Sequence, residues 1–297
     1  MSNDKNMSKK VINWFPGHMA KARREISEKL KVIDIIIELV DARAPYSSKN
    51  PMINDLIKQK PRLIVLTKKD MADEEKTQQW LKLYESQGYR AISVNLKNFN
   101  EYQKIIQECR VVLKEKMERE QARGLKPRAI RAMVLGIPNV GKSTFINALA
   151  NRKATVTGNK KGVTKAQQII RVAKDFELFD TPGGLWPKFE DERVARNIAF
   201  LGSIKQEILP LDDLFIDAIR YLSEYYPQHL LNRYQLTVNL EDENWLLDTY
   251  AQIAKIRKIK PLRGDIDYDR VITVLFTDIH DGSIGPITWE DTSCFCA

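Results

Sequence analysis

Eight residues in the middle of the chain, Gly136-Ile137-Pro138-Asn139-Val140-Gly141-Lys142-Ser143, constrain its fold more than any other feature. They fit the GxxxxGK[ST] phosphate loop. The apolar run from Ala129 to Leu135 leads into them and the helix-forming stretch from Thr144 to Ala150 follows, which is the strand–loop–helix context this motif requires. Glycines let successive backbone N–H groups face phosphate oxygens. Lys142 adds a cation for the outer phosphates, and the Ser143 hydroxyl suits Mg²⁺. The expected binding set of the loop is Asn139, Val140, Gly141, Lys142, Ser143 and Thr144, with Lys142 also catalytic. The competing reading, an ordinary glycine turn capping a helix, explains less of the pattern.

Upstream, Leu63-Ile64-Val65-Leu66 ends in Thr67-Lys68-Lys69-Asp70, which looks like the NKxD guanine motif at a strand end. A carboxylate at Asp70 can accept hydrogen bonds from the guanine N1–H and N2–H₂ edge. Adenine lacks those donors, so a site built this way discriminates against ATP. Lys68 is expected to lie along the base and brace the phosphate loop. Thr67 stands where Asn is usual, so a weaker bracing hydrogen bond is expected, which bears on nucleotide affinity and not on specificity. Alone, such a string is also compatible with a solvated charge cluster. Ser93 and Val94, closing the next short apolar segment, resemble the SAK-type element whose backbone contacts guanine O6.

Downstream, Lys161-Gly162-Val163-Thr164 reads as a loop whose Thr164 resembles the switch residue on Mg²⁺ and the γ-phosphate. Phe176-Glu177-Leu178-Phe179 then runs into Asp180-Thr181-Pro182-Gly183. Asp180 is expected to hold Mg²⁺ through water, and the Gly183 N–H to meet the γ-phosphate.

The order is guanine motif, SAK-like element, phosphate loop, switch threonine, DTPG. That is the order of a circularly permuted P-loop GTPase: the pieces meet in space as usual, and only the loop carrying the chain ends differs. The expected fold class is α/β, a doubly wound sheet followed by a small all-helical C-terminal domain. The expected units are a basic N-terminal segment over 1–31, the permuted GTPase domain over 32–203 and a helical, moderately basic unit over 204–297. Strands are expected at Val32 to Val40, Leu63 to Leu66 and Arg90 to Val94. Helices are expected at Pro51 to Lys60, Asp73 to Gln87 and Glu101 to Arg123, then around Leu211 to Tyr225, Asn244 to Lys258 and Asp267 to Asp281.

A formal net charge of +9 over 297 residues suits a polyanionic partner. The charge is clustered: Lys9, Lys10, Lys21, Arg23, Arg24, Lys29 and Lys31 near the start, Arg152, Lys153, Lys160, Lys161 and Lys165 around the switch loop, and Lys255, Arg257, Lys258, Lys260 and Arg263 late in the chain. Each cluster alone reads as a solvated face; together they point to RNA. Three cysteines, Cys109, Cys294 and Cys296, form neither a disulfide framework nor a metal set. No apolar run is of membrane-spanning length and no signal core opens the chain, so a cytoplasmic protein with no membrane or DNA partner is expected.

Asn13-Trp14-Phe15-Pro16-Gly17-His18-Met19-Ala20-Lys21-Ala22, Asp41-Ala42-Arg43-Ala44-Pro45 and Leu185-Trp186-Pro187-Lys188-Phe189 resemble the signatures of the ribosome biogenesis GTPase A family, the YlqF-type permuted GTPases. The resemblance runs from about Val11 to Trp289. It implies a GTPase that assists late assembly of the large (50S) ribosomal subunit, is stimulated by that particle and binds its rRNA. Many GTPases orient the attacking water with a Gln after DxxG; here Gly184 occupies that position, departing also from the apolar residue usual in this family. The substitute the resemblance implies is His18, whose imidazole could polarise water near neutral pH; capping the following helix or touching RNA are its other readings. Asn139 matches a phosphate-loop Asn that resembles a K⁺ ligand, so K⁺ joins Mg²⁺ as a candidate cofactor. Still open are a GTP-dependent RNA-docking module with incidental hydrolysis, a permuted GTPase acting on another RNA, and an ATP-dependent kinase, which Asp70 disfavours.

Overall fold

The computed structural model describes residues 24, 26–50, 56, 57, 60–150, 155, 156, 169–179, 191–204 and 209–295. In chain order the elements are β1 Ile35–Asp41, β2 Arg62–Thr67, α1 Glu74–Ser86, β3 Arg90–Ser93, α2 Phe99–Ala122, β4 Ile130–Leu135 and α3 Lys142–Ala150. Then come β5 Thr155–Val156, β6 Ile169–Ala173, β7 Phe176–Phe179 and α4 Glu192–Phe200. Four further helices follow: α5 Leu211–Tyr225, α6 Pro227–Tyr234, α7 Trp245–Ile256 and α8 Tyr268–Asp281.

The strands form one sheet in the order β3-β2-β1-β4-β7-β6-β5. Pairing is parallel from β3 to β7 and antiparallel over β7, β6 and β5. All seven residues of β1 are buried, as a strand covered on both faces requires. Its side chains alternate: Ile35, Ile37 and Leu39 enter the large core shared with α2, α3 and the C-terminal helices, whereas Ile36 and Val40 enter two smaller clusters on the other face. Trp80 and Tyr84 of α1 cover part of that second face. The sheet is therefore doubly wound, and the large core runs without a break from β1 to Trp289.

The first strand starts at Ile35, three residues later than the apolar run suggests. Val32 is 45% exposed in a turn following the helical residues 26–30. Asp34, just ahead of β1, is buried with Arg128 and Lys116 on its carboxylate at 2.7 and 2.8 Å. Burial would raise its pKa, but those two cations bring it down to about 2. Of the helix expected over Pro51 to Lys60, only residues 56, 57 and 60 are described, and 56 and 57 are helical. Asp73 caps α1 by accepting from the Lys76 N–H at 3.0 Å.

Helices α5, α7 and α8 match the expected ones. Two were not anticipated. The short α4 starts at an Asp191 cap, and α6 starts on Pro227 with only Tyr226 separating it from α5. The helical layer is locked by Asp278 of α8, 2% exposed, which accepts from Arg233 of α6 at 2.7 and 2.8 Å and from the Tyr234 hydroxyl at 2.7 Å. Among the described residues, no helix is long and apolar enough to cross a membrane.

Candidate nucleotide site

Parallel pairing brings the C-terminal ends of β2, β1 and β4 to one edge of the sheet, with Asp41 opposite Thr67 and Glu38 opposite Leu135. The phosphate loop leaves β4 there. A Cβ on Gly136 would lie 2.8 Å from the Leu39 carbonyl oxygen, so the loop can pass β1 only without a side chain. Gly141 has φ +96°, and a Cβ there would meet Leu96 at 2.8 Å. Val140 is buried between these glycines, and Lys142, Ser143 and Thr144 open α3. Ser143 and Thr144 are exposed, so an oxygen donor suited to a hard cation stands at the helix start.

The guanine element meets this loop directly. The Thr67 hydroxyl lies 2.7 Å from the Val140 carbonyl oxygen and 3.1 Å from that of Val40. Where a weaker brace is expected from Thr in place of Asn, the shorter side chain thus still bridges to the loop. Lys68 has φ 56°, in the left-handed region, and leads into a 3₁₀ turn over Lys69–Met71. Its ammonium is directed at Asp41, 2.8 Å away, and the contact to the phosphate loop is made by Thr67. Burial lowers the Lys68 pKa, and Asp41 opposes that fall. Asp70 faces outward, with Lys97 at 3.0 Å from its carboxylate. Ser93 ends β3 opposite Leu66; the Val94 N–H donates to the Leu66 carbonyl at 2.8 Å and is therefore paired within the sheet.

The phosphate loop is also tied to the turn after α4. The Asn139 amide donates to the Gly202 carbonyl at 2.6 Å, and the Ser203 hydroxyl donates to the Pro138 carbonyl at 3.0 Å. Asn139 takes a φ of 63°. Gly202 lies under the His280 ring of α8, 3.1 Å from where a Cβ would be. These bonds join residues more than sixty apart, and no short motif in the sequence announces Ser203.

His18, Thr164, Asp180, Gly183 and Gly184 lie outside the described residues. The structure thus brings together Thr67, Lys68, Asp70, Ser93, Val94 and the phosphate loop, including Asn139, Lys142 and Ser143. A cavity of about 260 Å³ lined by Asp34, Lys116 and Arg128 lies where β1 and β4 begin, at the opposite edge of the sheet. It takes no part in this site.

A family model described as 50S ribosome-binding GTPase matches residues 131–239. The chain is 48% identical over 280 residues to the ribosome biogenesis GTPase A of Bacillus cereus, covering 94% of each protein. To the protein of the same name from Thermotoga maritima it is 27% identical over 279 residues, again covering 94% of each. The solved structure of GNP-bound YlqF from T. maritima aligns with a TM-score of 0.64 at 24% identity, over 91% of this chain and 98% of that one. That likeness speaks for the fold.

Proposed function

The chain belongs to the ribosome biogenesis GTPase A family, and from that premise we propose that it binds and hydrolyses GTP while assisting late assembly of the large ribosomal subunit. The observation that carries the reading is the junction of guanine element and phosphate loop at one sheet edge, closed by Thr67 and Val140. The family model's description and the relatives' names support the ribosomal partner.

In this reading Asp70 accepts from the guanine edge, Ser93 and Val94 shape the pocket beside it, and Lys142 meets the outer phosphates with the loop N–H groups from Asn139 to Thr144. Ser143, Thr164 and Asp180 would hold Mg²⁺, which when bound neutralises phosphate charge. Asn139 is the candidate K⁺ ligand, and its amide nitrogen is already directed at Gly202. Gly183 and Thr164 sense the γ-phosphate. His18 orients the attacking water, a task no side chain at Gly184 can perform. Residues 204–297 form the RNA-binding unit, and the cytoplasm is the working compartment.

Steady-state GTP hydrolysis with and without purified large ribosomal subunits, at one salt concentration, tests the proposal. A large stimulation by the particle, lost in His18→Ala, is expected. Unchanged turnover with GTP bound would overturn the ribosome as activator, and equal turnover in K⁺ and Na⁺ would remove K⁺.

A further inference from the structure

The last residue of β1 sits at the centre of the site, because β1 lies between the guanine strand β2 and the phosphate-loop strand β4. That residue is Asp41, 1% exposed. Its Oδ1 accepts from the Arg43 backbone N–H at 3.0 Å and from Arg43 Nε at 2.9 Å. Its Oδ2 accepts from Arg43 Nη2 at 2.9 Å and from Lys68 Nζ at 2.8 Å. One buried carboxylate thus holds two cations, one from its own turn and one from the guanine element.

We infer that Asp41 is a positioning residue of the nucleotide site, holding the Lys68 ammonium from below so that the lysine stem and the loop bearing Asp70 are set before the base arrives. The inference rests on the guanine reading of Lys68 and Asp70. Neutralising Arg43 alone would need no lysine on the same oxygen. Lys68 also needs an anchor of this kind. Its backbone is left-handed, a conformation non-glycine residues hold only where their surroundings fix it. A free lysine side chain samples many rotamers, and a base binding against it would have to order them; a charge-assisted hydrogen bond to a rigid strand end orders them beforehand.

The anchor itself is rigid. The Asp41 N–H donates to the Ser48 hydroxyl at 2.8 Å, and the Ala42 N–H donates to the Thr67 carbonyl at 2.9 Å. Arg43 extends the chain of contacts to the helical layer. Its Nη1 donates to the Ile279 carbonyl of α8 at 3.3 Å, and its own carbonyl accepts from the Trp289 N–H at 2.7 Å. The lysine that flanks the base is therefore fixed, through Asp41 and Arg43, relative to the C-terminal helices.

The test is equilibrium binding of a fluorescent GDP to the full chain, with melting temperature recorded for each variant. Asp41→Asn should weaken GDP binding about tenfold. In a Lys68→Met background the same substitution should add less than about twofold, because the group it acts through is gone. A merely structural aspartate would weaken binding by the same factor in both backgrounds, and that result overturns the inference, as does unchanged affinity in Asp41→Asn. If Asp41→Asn fails to fold because Arg43 is left uncompensated, Asp41→Asn with Arg43→Gln removes both charges and takes its place in the same comparison. Wild-type affinity in that pair overturns the role of Asp41; a loss that vanishes with Lys68→Met supports it. A wild-type chain that binds no GDP would instead overturn the nucleotide reading itself.

Discussion

The Thr67 hydroxyl lies 2.7 Å from the Val140 carbonyl oxygen, and both residues are fully buried. Thr67→Val keeps the shape and removes the donor, leaving that carbonyl without its side-chain partner. The expected cost is about 1–3 kcal/mol, with weaker GDP binding, whereas Thr67→Ser should retain most of both. Thermal melts and calorimetric titration check this.

Gly136 and Gly88 make a paired test of two different glycine roles. Gly136→Ala would place a Cβ 2.8 Å from the Leu39 carbonyl oxygen, a backbone atom in the central strand. Stability should fall by about 1–3 kcal/mol and nucleotide binding should fall with it. Gly88, at φ +82°, has nothing within 4 Å of its would-be Cβ. Gly88→Ala should therefore cost about 1 kcal/mol through backbone strain and leave GDP affinity unchanged.

Glu290 makes folding depend on pH. It accepts from the Tyr46 and Ser47 N–H groups, the Ser47 hydroxyl and the Asn197 amide. Burial, only partly opposed by those donors, pushes its pKa up from 4.5 to about 7. A carboxylate raised in this way binds its proton more tightly when folded. Its stabilising contribution is therefore complete below pH 4.5 and is lost as pH rises through about 7. The stability of wild type relative to Glu290→Gln should fall across that window by roughly 1–3 kcal/mol, measured by denaturant unfolding at successive pH values.

Lys76 of α1 lies 5.7, 5.1 and 5.2 Å from the ring centroids of Tyr221, Tyr225 and Tyr226, so its ammonium joins the sheet domain to the helical layer. Lys76→Met should lower stability by about 0.5–2 kcal/mol, and Lys76→Arg should recover part of it. Melting temperature is the readout.

What the sequence shows of this molecule depends on how local each signal is. The phosphate loop, the strand ending at Thr67 and the long helix α2 all declare themselves within a dozen residues, through glycine spacing or apolar period. The permuted order is legible because each motif keeps its own local pattern. The apolar run sets the start of β1 too early because Val32 is apolar yet exposed, and an apolar residue in a turn looks the same as one in a strand. Helix α6 leaves no such signal because its 8 residues span too few turns to show a period. The attachment of Pro138 and Asn139 to Gly202 and Ser203 could not be read at all, since it depends on tertiary packing across more than sixty residues. Asp41 carried a visible family signature, but its grip on Lys68 emerged only from the register of β1 against β2.

The sheet order also has a consequence for synthesis. Thr67 and Val140, which close the site, are 73 residues apart in the chain. A ribosome making this protein releases the guanine-reading strands first, and β1, β2 and β3 can pair while β4 is still within the translating particle. That nascent piece lacks the loop that grips phosphate. Its strand β1 lies at the edge of that three-stranded piece and stays open until β4 arrives to pair with it. The guanine element and the phosphate loop therefore meet only once β4 and the loop behind it have followed β3 out, supplying the missing strand and the missing loop together.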